Sequence, residues 1–507
     1  MDAAPPPLIQ ALLAPPCYAH PVSQVELMQT HISWILLAGD YAYKIKKPVR
    51  LPFLDFSTLA LRRASCLDEL RLNRRFAPDI YLGMVAIANT PQAPQLDGPG
   101  EPIEYAVKMR RFNEAGRLDH VCARGELQPA HLSDLAETLS VFHNAAAVAA
   151  PATRFGSPEA ILGAALENFD ELQQSAALPG AAPQLAALRA WTEAQHKQLT
   201  PMMQTRKQSG HVRECHGDLH LGNLVLIDGR VRLFDCIEFN EDLRWIDVIN
   251  DIAFTYVDLL AHQQSGLANW FVNEVLSRSG DYAAAALLRY YAVYRALVRA
   301  KVAMIRLQQN SGDASETLAY LALAEQLTKP APPRLLITHG LSGCGKTVAS
   351  SQLLQSDLQA CTLRLRSDVE RKRLFGIASN APSGSPLGGG IYDATAQQQT
   401  YARLRELAET LLRQGWSVIV DATFLQRADR DAFRTLAKEL GLPFQILAPQ
   451  ASPEQLRERI LARQAQGHDA SEATLAVLER QLRTLEALGA DEQPIAEPGQ
   501  NTLAPTL

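Results

Sequence analysis

Apolar and polar positions in the first third of the chain predict strands followed by helices. The segments QVELMQT and SWILLAGDYAYKIKK alternate with a period of two, which predicts strands joined at Gly39-Asp40. Helical periodicity follows over 57–77 and 130–150, and an alanine-rich helical stretch reaches about residue 200. This order predicts an α+β fold for the amino-terminal part.

A second hairpin is predicted in NLVLIDGRVRLFD, where Asp228-Gly229 forms the turn, and residues 245–328 are helical in pattern almost throughout. The clearest break in the chain is the stretch TKPAPP before RLLIT, because prolines remove backbone hydrogen-bond donors. We therefore expect two domains, residues 1–330 and residues 331–507.

Downstream of this break, strand and helix patterns alternate. The predicted strands cover 335–339, 361–365, 416–421 and 444–448. Such alternation predicts a parallel sheet with crossover helices. The glycine- and serine-rich stretch 378–390 is typical of a mobile loop, and 492–507 is typical of a frayed tail.

Composition narrows the class of protein. The 49 Lys and Arg against 54 Asp and Glu give a net charge of -5 without long runs of one sign, which predicts no general adhesion to nucleic acid or membranes. No apolar stretch reaches the ~18 residues of a membrane span, and the amino end lacks the pattern of a signal peptide. The seven cysteines never show C-x-x-C spacing. We expect a soluble, cytoplasmic protein with reduced thiols, no zinc site and no membrane partner.

The octapeptide HGDLHLGN at 216–223 is the densest cluster of candidate catalytic residues. Its glycines disfavour the helix that a zinc-binding pair of His216 and His220 would need, and the glutamate of H-E-x-x-H is missing. H-x-D-x-x-x-x-N is instead a kinase catalytic-loop spacing, in which the aspartate takes a proton from the acceptor hydroxyl and the asparagine binds Mg²⁺. Asp218 and Asn223 occupy these positions, and a surface turn capped by both residues is the alternative.

The hairpin that follows ends in LFD, where Asp235 is expected to chelate the metal ion, and this favours the kinase interpretation. A kinase also needs a strand lysine for the α- and β-phosphates, paired with a helix carboxylate. In YAYKIKKP, Lys44 matches that role, and Lys46 on the same strand face is the alternative. The expected partner is Glu69. Its neighbour Asp68 remains an alternative partner, and an ordinary salt bridge on the solvent-exposed face of the helix is the alternative to a functional role.

On these motifs, residues 20–300 resemble the aminoglycoside phosphotransferase and choline kinase-like family, which phosphorylates small hydroxylated molecules. The resemblance implies a protein-kinase-like fold for the first domain. It extends to WIDVINDIAF, where it implies that Asp247 and Asp251 brace the catalytic loop without a chemical part. No G-x-G-x-x-G precedes the lysine strand, and QTHIS at 29–33 stands in its place.

GLSGCGKT at 340–347 is an unbroken P-loop motif between an apolar strand and a helix. Its glycines let backbone N–H groups converge on a β-phosphate, its lysine reaches the β- and γ-phosphate oxygens, and its threonine can bind Mg²⁺. The nucleotide-binding residues predicted from this motif are Gly340, Gly343, Gly345, Lys346 and Thr347. The strand WSVIVD ends in Asp421, an expected further carboxylate for Mg²⁺, and a strand-end cap is the alternative.

Two further pairs of charged residues are candidates for binding the phosphate acceptor and for forming a lid over the transferring phosphoryl group. Asp368 and Arg371 lie one helical turn apart, so the carboxylate can take a hydroxyl proton while the arginine holds an anionic substrate group. An N-cap aspartate with a salt-bridged arginine is the alternative. Arg459 and Arg463 follow the helix start SPEQ and are expected to close over the transferring phosphoryl group, with ordinary solvated arginines as the alternative.

Residues 334–485 resemble the small P-loop kinases grouped with polynucleotide 5′-kinase, gluconate kinase and zeta toxins. The whole layout resembles bifunctional aminoglycoside phosphotransferase-like/ATP-binding proteins, which implies a P-loop NTPase fold for the second domain, with ATP and Mg²⁺ as cofactors. The layout does not supply the acceptors; the resemblance of the first half implies a small-molecule hydroxyl, and the pair Asp368 and Arg371 favours a nucleotide or 5′-hydroxyl nucleic acid in the second. Two functions remain: an enzyme with two phosphotransferase centres, or one kinase regulated by a nucleotide-sensing P-loop module.

Overall fold

In a computed structural model, the chain forms two compact units that are each discontinuous in sequence. The structure describes residues 5–51, 54–175, 178, 180–310, 313–379, 381–386, 388–466 and 471–495. The first unit comprises Met1–Ala164 and Thr200–Asp258, and the second comprises Ala165–Leu199 and Leu259–Leu507. The compact units do not change over at the proline-rich stretch, so the division into domains 1–330 and 331–507 stays a prediction.

A six-stranded antiparallel sheet begins the first unit. Eight strands lie among the described residues of this part of the chain, six of them in the sheet. They are β1 Val25–Gln29, β2 Ser33–Ala38, β3 Tyr41–Lys46, β4 Arg50–Leu51, β5 Leu54–Asp55, β6 Tyr81–Thr90, β7 Ala93–Leu96 and β8 Pro102–Arg110. β4 and β5 form a separate pair, and the other six have the spatial order β1-β2-β3-β8-β6-β7. Tyr43 and Ile45 of β3 pack in the hydrophobic core, so Lys44 and Lys46 share the opposite face of the strand.

Helices and two short strand pairs complete the first unit. The helices are α1 Pro7–Leu12, α2 Leu59–Asn73, α3 Leu118–Ala123, α4 Pro129–Ala145, α5 Pro158–Gln173, α6 Ala182–Gln208 and α7 Val248–Ala261, the last three crossing a boundary between the units. The strands β9 Val212–Glu214, β10 Leu224–Ile227, β11 Arg230–Leu233 and β12 Trp245–Asp247 pair as β10-β11 and β9-β12. Asp228 and Gly229 adopt left-handed conformations, with φ 50° and 74°, and make the predicted tight turn between β10 and β11.

The second unit is built on a parallel sheet. Its strands are β13 Leu335–Thr338, β14 Thr362–Arg366, β15 Ser417–Asp421, β16 Phe444–Leu447 and β17 Pro494–Ile495, in the order β14-β15-β13-β16-β17. Its helices are α8 Ser265–Ser279, α9 Ala285–Asn310, α10 Ser315–Leu327, α11 Lys346–Gln355, α12 Ser367–Leu374, α13 Ala394–Arg413, α14 Arg427–Glu439, α15 Pro453–Gln466 and α16 Leu475–Thr484. The P-loop connects β13 to α11, at the carboxyl end of the sheet, where ligands bind in folds of this kind.

The predicted fold classes are confirmed, and the predicted strands lie at or next to their expected positions. The sequence analysis missed β6 to β8, because two register shifts interrupt the regular alternation of that segment. The predicted tail begins too early, since Glu492 pairs with Arg430 and β17 pairs with β16, whereas residues 496–507 lie outside the described part. Mobility of 378–390, of which residues 380 and 387 are not described, stays a prediction. Among the described residues, no helix has the length and apolar character needed to cross a membrane.

Candidate active sites

Two lysines on strand β3 and one glutamate on helix α2 form a buried charge cluster in the first unit. Lys44 Nζ donates a hydrogen bond to Glu69 Oε1 at 2.9 Å and another to Asp235 Oδ1. Lys46 Nζ donates to Glu69 Oε2 and to Glu238 Oε1. Because Lys44 is the lysine bonded to the predicted metal ligand Asp235, the geometry favours Lys44 over Lys46 as the phosphate-binding residue.

The electrostatics of this cluster keep Glu69 ionised. Burial raises the pKa of the Glu69 carboxyl, but Lys44 and Lys46 outweigh burial and lower that pKa to about 2. Burial also lowers the pKa of Lys44, and the neighbouring carboxylates reverse this effect and raise it well above its ordinary value. Glu69 is therefore the partner of Lys44, whereas the alternative, Asp68, is half-exposed and lies 3.5 Å from Arg71.

The segment that carries Asp235 is held through successive backbone N–H groups. Asp235 has a left-handed backbone, with φ 62°, which a non-glycine residue adopts only when its surroundings hold it there. Its N–H donates to the Tyr81 hydroxyl at 2.9 Å, and the N–H of Cys236 donates to Asn73 Oδ1 at 2.9 Å. The N–H of Ile237 donates to a carbonyl of the catalytic loop at 3.1 Å. These bonds fix the backbone from which the Asp235 carboxylate projects.

The catalytic loop predicted from HGDLHLGN places Asp218 next to Asn223. Asn223 Nδ2 donates to the Asp218 carbonyl and to Asp218 Oδ2, each at 2.9 Å. This leaves the amide oxygen of Asn223 and the carboxylate of Asp235 as hard oxygen donors, the type that Mg²⁺ prefers. His220 Nε2 lies 3.5 Å from Asp218 Oδ2, and its Nδ1 accepts a hydrogen bond from Gly222 N. The donor set fits a divalent cation beside a carboxylate base.

Helix α7 supports the catalytic loop with three polar residues on one face. Asp251 accepts hydrogen bonds from two consecutive N–H groups of the loop, at 3.2 and 2.9 Å. Thr255 donates to a loop carbonyl at 2.6 Å, and Asp258 accepts from a loop N–H at 2.8 Å. The three residues share one helix face because they are spaced i, i+4 and i+7. Sequence analysis missed Thr255 and Asp258, although this spacing within an apolar run was a readable signal.

Asp247 lies away from the contacts that support the loop. Its carboxylate accepts two hydrogen bonds from Arg206 on α6, at 2.7 and 2.9 Å, and a third from the N–H of Ile249 at 3.0 Å. The bracing role implied by the resemblance is therefore correct for Asp251 and wrong for Asp247, because the Asp247 carboxylate is engaged by a guanidinium and a helix start.

A pH effect on stability follows from His216, which is fully buried in the loop. Burial lowers the pKa of its imidazole below the ordinary value of 6.5. The unfolded chain then binds a proton that the folded chain does not, so stability falls as pH drops below about 6.5. We expect the thermal midpoint of the first unit to fall between about pH 7.5 and about pH 5.5, and to fall less in a His216→Gln variant. An equal fall in both proteins would contradict this role of His216.

The glycines of the P-loop are required by its backbone. Gly340, Gly343 and Gly345 have φ of 133°, 87° and 103°, values that residues with a side chain rarely adopt. A Cβ atom on Gly343 would also lie 2.9 Å from the carbonyl oxygen of Leu456 on α15. Lys346 Nζ donates to two carbonyl oxygens of the P-loop itself, at 2.9 and 2.7 Å. The loop thus has the tight, N–H-lined shape that accommodates phosphate.

Polar groups behind the P-loop connect it to the end of β15. Ser350 Oγ donates to Asp421 Oδ2 at 3.3 Å. Arg364 of β14 donates to Ser350 Oγ at 3.1 Å and to the Thr347 carbonyl at 3.3 Å, and burial lowers its pKa. The Thr347 hydroxyl and the Asp421 carboxylate are oxygen donors of the kind that Mg²⁺ binds.

A cavity of about 810 Å³ brings the predicted residues of the second unit together. Asp368 and Arg371 form an ion pair at 3.1 Å, and the Arg371 guanidinium lies 5.0 Å from the centroid of the Tyr392 ring. The lining of the cavity includes every residue predicted for this site except Gly340, namely Gly343, Gly345, Lys346, Thr347, Asp368, Arg371, Asp421, Arg459 and Arg463. Lining residues that the sequence analysis missed include Arg366, Tyr392, Glu472 and Arg480.

Comparison with known proteins assigns both parts of the chain. A model of the phosphotransferase enzyme family (APH) matches residues 111–297, and a model of an AAA domain matches residues 335–488. An uncharacterized protein of Mycobacterium tuberculosis is 30% identical over 467 residues, which is 91% of each chain, and a protein of Mycobacterium bovis matches equally. The chain belongs to the family of these proteins. It is a kinase that joins an APH phosphotransferase domain to a P-loop kinase-like domain.

Solved structures similar to this kinase include three from bacteria. A choline/ethanolamine kinase family protein from Mesorhizobium loti matches with a TM-score of 0.37 and 13% identity over 62% of this chain and 89% of that chain. A choline kinase from Streptococcus pneumoniae matches with a TM-score of 0.36 and 14% identity over 61% and 93%. A gluconokinase from Sinorhizobium meliloti matches with a TM-score of 0.22 and 22% identity over 31% and 78%. Kinases of the APH and P-loop families use ATP with a divalent metal ion.

Proposed function

We propose that the protein holds two ATP- and Mg²⁺-dependent phosphotransferase centres, and that the first phosphorylates a hydroxyl group of a small molecule. The observation that carries the proposal is the set of kinase groups in the first unit, with Lys44 bonded to Glu69 and Asp235, and Asp218 bonded to Asn223. Lys44 would bind the α- and β-phosphates, and Asn223 and Asp235 would hold Mg²⁺, which neutralises phosphate charge when bound. Asp218 would accept the proton of the acceptor hydroxyl.

The second centre is proposed around the P-loop cavity. Lys346 would bind the β- and γ-phosphates, Thr347 and Asp421 would hold Mg²⁺, and Arg459 and Arg463 would approach the phosphates from α15. Arg459 already reaches the loop, because its Nη1 donates to a P-loop carbonyl at 3.3 Å.

The charge of the cavity supports an anionic acceptor at this second centre. Asp368 is the proposed proton acceptor, and Arg371 the group that binds an anionic part of the acceptor. The charged lining residues are Lys346, Arg366, Arg371, Arg459, Arg463 and Arg480 against Asp368, Asp421 and Glu472. This excess of basic residues supports binding of ATP together with a second anionic molecule, such as a nucleotide or the 5′ end of a nucleic acid.

A single kinase regulated by a nucleotide-sensing P-loop module is the second candidate. In that case the P-loop cavity binds ATP and transfers no phosphate. Asp368 favours catalysis, because a sensor does not need a carboxylate base in its cavity, and Asp368 lines the cavity beside Arg371.

Transfer of labelled γ-phosphate from ATP to sugars, aminoglycosides, nucleosides and 5′-hydroxyl oligonucleotides tests the proposal. We expect one acceptor whose labelling is lost in Asp218→Asn and retained in Asp368→Asn, and another with the opposite dependence, because each substitution removes one base. If all labelling survives Asp368→Asn and depends on Asp218, the second unit is a nucleotide-binding module. Labelling that survives both substitutions would refute the two proposed bases.

A further inference from the structure

The buried cluster of the first unit contains a second ion pair that phosphate binding does not require. One lysine paired with one helix glutamate is the arrangement that kinases use. Here Lys46 and Glu238 are also present, with side chains 0% and 3% exposed, and they bond to each other. Lys46 also binds Glu69 Oε2, the carboxylate oxygen that Lys44 does not contact. The charges therefore alternate in sign in the order Asp235, Lys44, Glu69, Lys46 and Glu238.

Stability alone is a poor explanation for the pair of Lys46 and Glu238. Removing two charges from water costs about as much as their attraction returns, and breaking such a pair leaves one buried charge unpaired. Burial lowers the pKa of Lys46, and the carboxylates of Glu238 and Glu69 outweigh burial, so the lysine remains charged. The pair instead joins three elements, since Lys46 lies on β3, Glu69 on α2 and Glu238 in the segment after β11. Ser65 of α2 adds a hydrogen bond to Glu238 Oε1 at 3.3 Å.

The position of Glu238 relates this pair to the metal ligand. Glu238 lies three residues after Asp235, so one short segment contacts both lysines of β3. The bond between Lys44 and Asp235 uses the two groups that would bind phosphate and Mg²⁺, so those ligands would compete with it. The bond between Lys46 and Glu238 uses neither group and can persist.

We propose that Lys46 and Glu238 are positioning residues that hold Glu69 and the Asp235 segment in place while Lys44 and Asp235 exchange their mutual bond for nucleotide and metal. The inference rests on the proposed nucleotide site of the first unit. Neither residue contacts the nucleotide; they act through Glu69 and Asp235. Loss of the pair therefore weakens the contribution of Mg²⁺ to nucleotide binding more than it weakens binding of the metal-free nucleotide.

The test measures AMP-PNP binding by calorimetry, with Mg²⁺ and with EDTA, in the full-length chain. The chain carries Lys346→Ala, which is expected to remove the P-loop site, so that the measured binding is that of the first unit. The ratio of the two affinities is the gain due to Mg²⁺. Glu238→Gln is expected to reduce this gain by about tenfold or more, while the affinity in EDTA stays within about threefold because Lys44 and Glu69 are intact. Lys46→Arg keeps a positive charge between Glu69 and Glu238, so neither buried carboxylate loses its partner, and it is expected to retain most of the gain.

Arg62→Met is the matched control, because it breaks another buried ion pair of α2, with Glu104 at 2.8 Å, outside the cluster. We expect it to lower the thermal midpoint and to leave the Mg²⁺ gain at the parent value. Should Glu238→Gln not fold, Lys46→Met with Glu238→Leu replaces both charges by apolar groups of similar size.

If Glu238→Gln or the double variant folds and its Mg²⁺ gain equals that of the Lys346→Ala parent, the inference is wrong. Failure of both variants to fold also overturns it, because the pair is then structural. The proposed first nucleotide site fails separately if the Lys346→Ala parent binds no AMP-PNP with Mg²⁺ or with EDTA.

Discussion

Replacing Asp218 with asparagine is expected to lower phosphate transfer by the first unit about a hundredfold to ten-thousandfold, the usual contribution of a positioned general base. The affinity for Mg·AMP-PNP should change less than about tenfold. The substitution removes the carboxylate that takes the proton, yet Asn223 can still donate to the backbone carbonyl of residue 218, as it does at 2.9 Å. The predicted metal ligands Asn223 and Asp235 are unchanged. Single-turnover transfer to an acceptor from the screen and calorimetry measure the two quantities.

Asp235→Ala provides the contrasting variant, because it removes a metal ligand and leaves the base. It should abolish the Mg²⁺-dependent part of nucleotide binding, and it also removes a partner of Lys44. Both variants are measured in the full-length chain carrying Lys346→Ala. Wild-type turnover in both would mean that the kinase interpretation of HGDLHLGN is wrong.

Calorimetry of the wild-type chain with Mg·AMP-PNP is expected to find about two nucleotide sites, and Lys346→Ala is expected to remove one of them. Lys346 is the proposed phosphate-binding ammonium group of the P-loop cavity, and the glycine-rich backbone alone offers only partial charges. The remaining site should change in binding free energy by less than about 1.4 kcal/mol, the equivalent of a tenfold change in affinity.

Lys44→Ala should remove the other site, because Lys44 and Lys346 belong to different units. Lys329→Ala serves as a control: this lysine is 71% exposed, pairs with Glu325, and should leave two sites. If the sites are coupled, each lysine substitution will shift the affinity of the other site by the same factor. A single wild-type site that is lost with Lys346→Ala and unaffected by Lys44→Ala would mean that the first unit is a kinase-shaped binding module.

Local sequence determined the parts of both sites that consecutive residues build. The P-loop is one example, because the motif that specifies its glycine conformations and the start of α11 lies within eight consecutive residues. The β10-β11 hairpin is another, because the Asp228-Gly229 turn sets its register and returns the chain so that Asp235 follows Asn223 closely in space. Periodicity was also enough to predict the parallel sheet and its crossover helices.

Only the tertiary structure distinguishes residues that sequence spacing leaves equivalent. Lys44 and Lys46 point to the same side of β3, and the choice between them depends on Asp235, which is 191 residues away in sequence from Lys44. Asp68 and Glu69 are adjacent, and a rotation of about 100° per residue on α2 turns one into the cluster and the other toward solvent. The periodicity of an element specifies which side chains share a face, but not which distant face packs against it.

The same limit explains the residues that sequence analysis did not find. Glu238 lies three residues after Asp235 and belongs to no recognisable motif, and it is identified only by its bond to Lys46. Tyr392, Glu472 and Arg480 come from separate segments that meet at the P-loop cavity. The sequence by itself therefore determined the two kinase-type domains, through short motifs whose geometry is local. The tertiary structure decided which charges are paired and which line the cavity, because those contacts arise from packing between elements far apart in the chain.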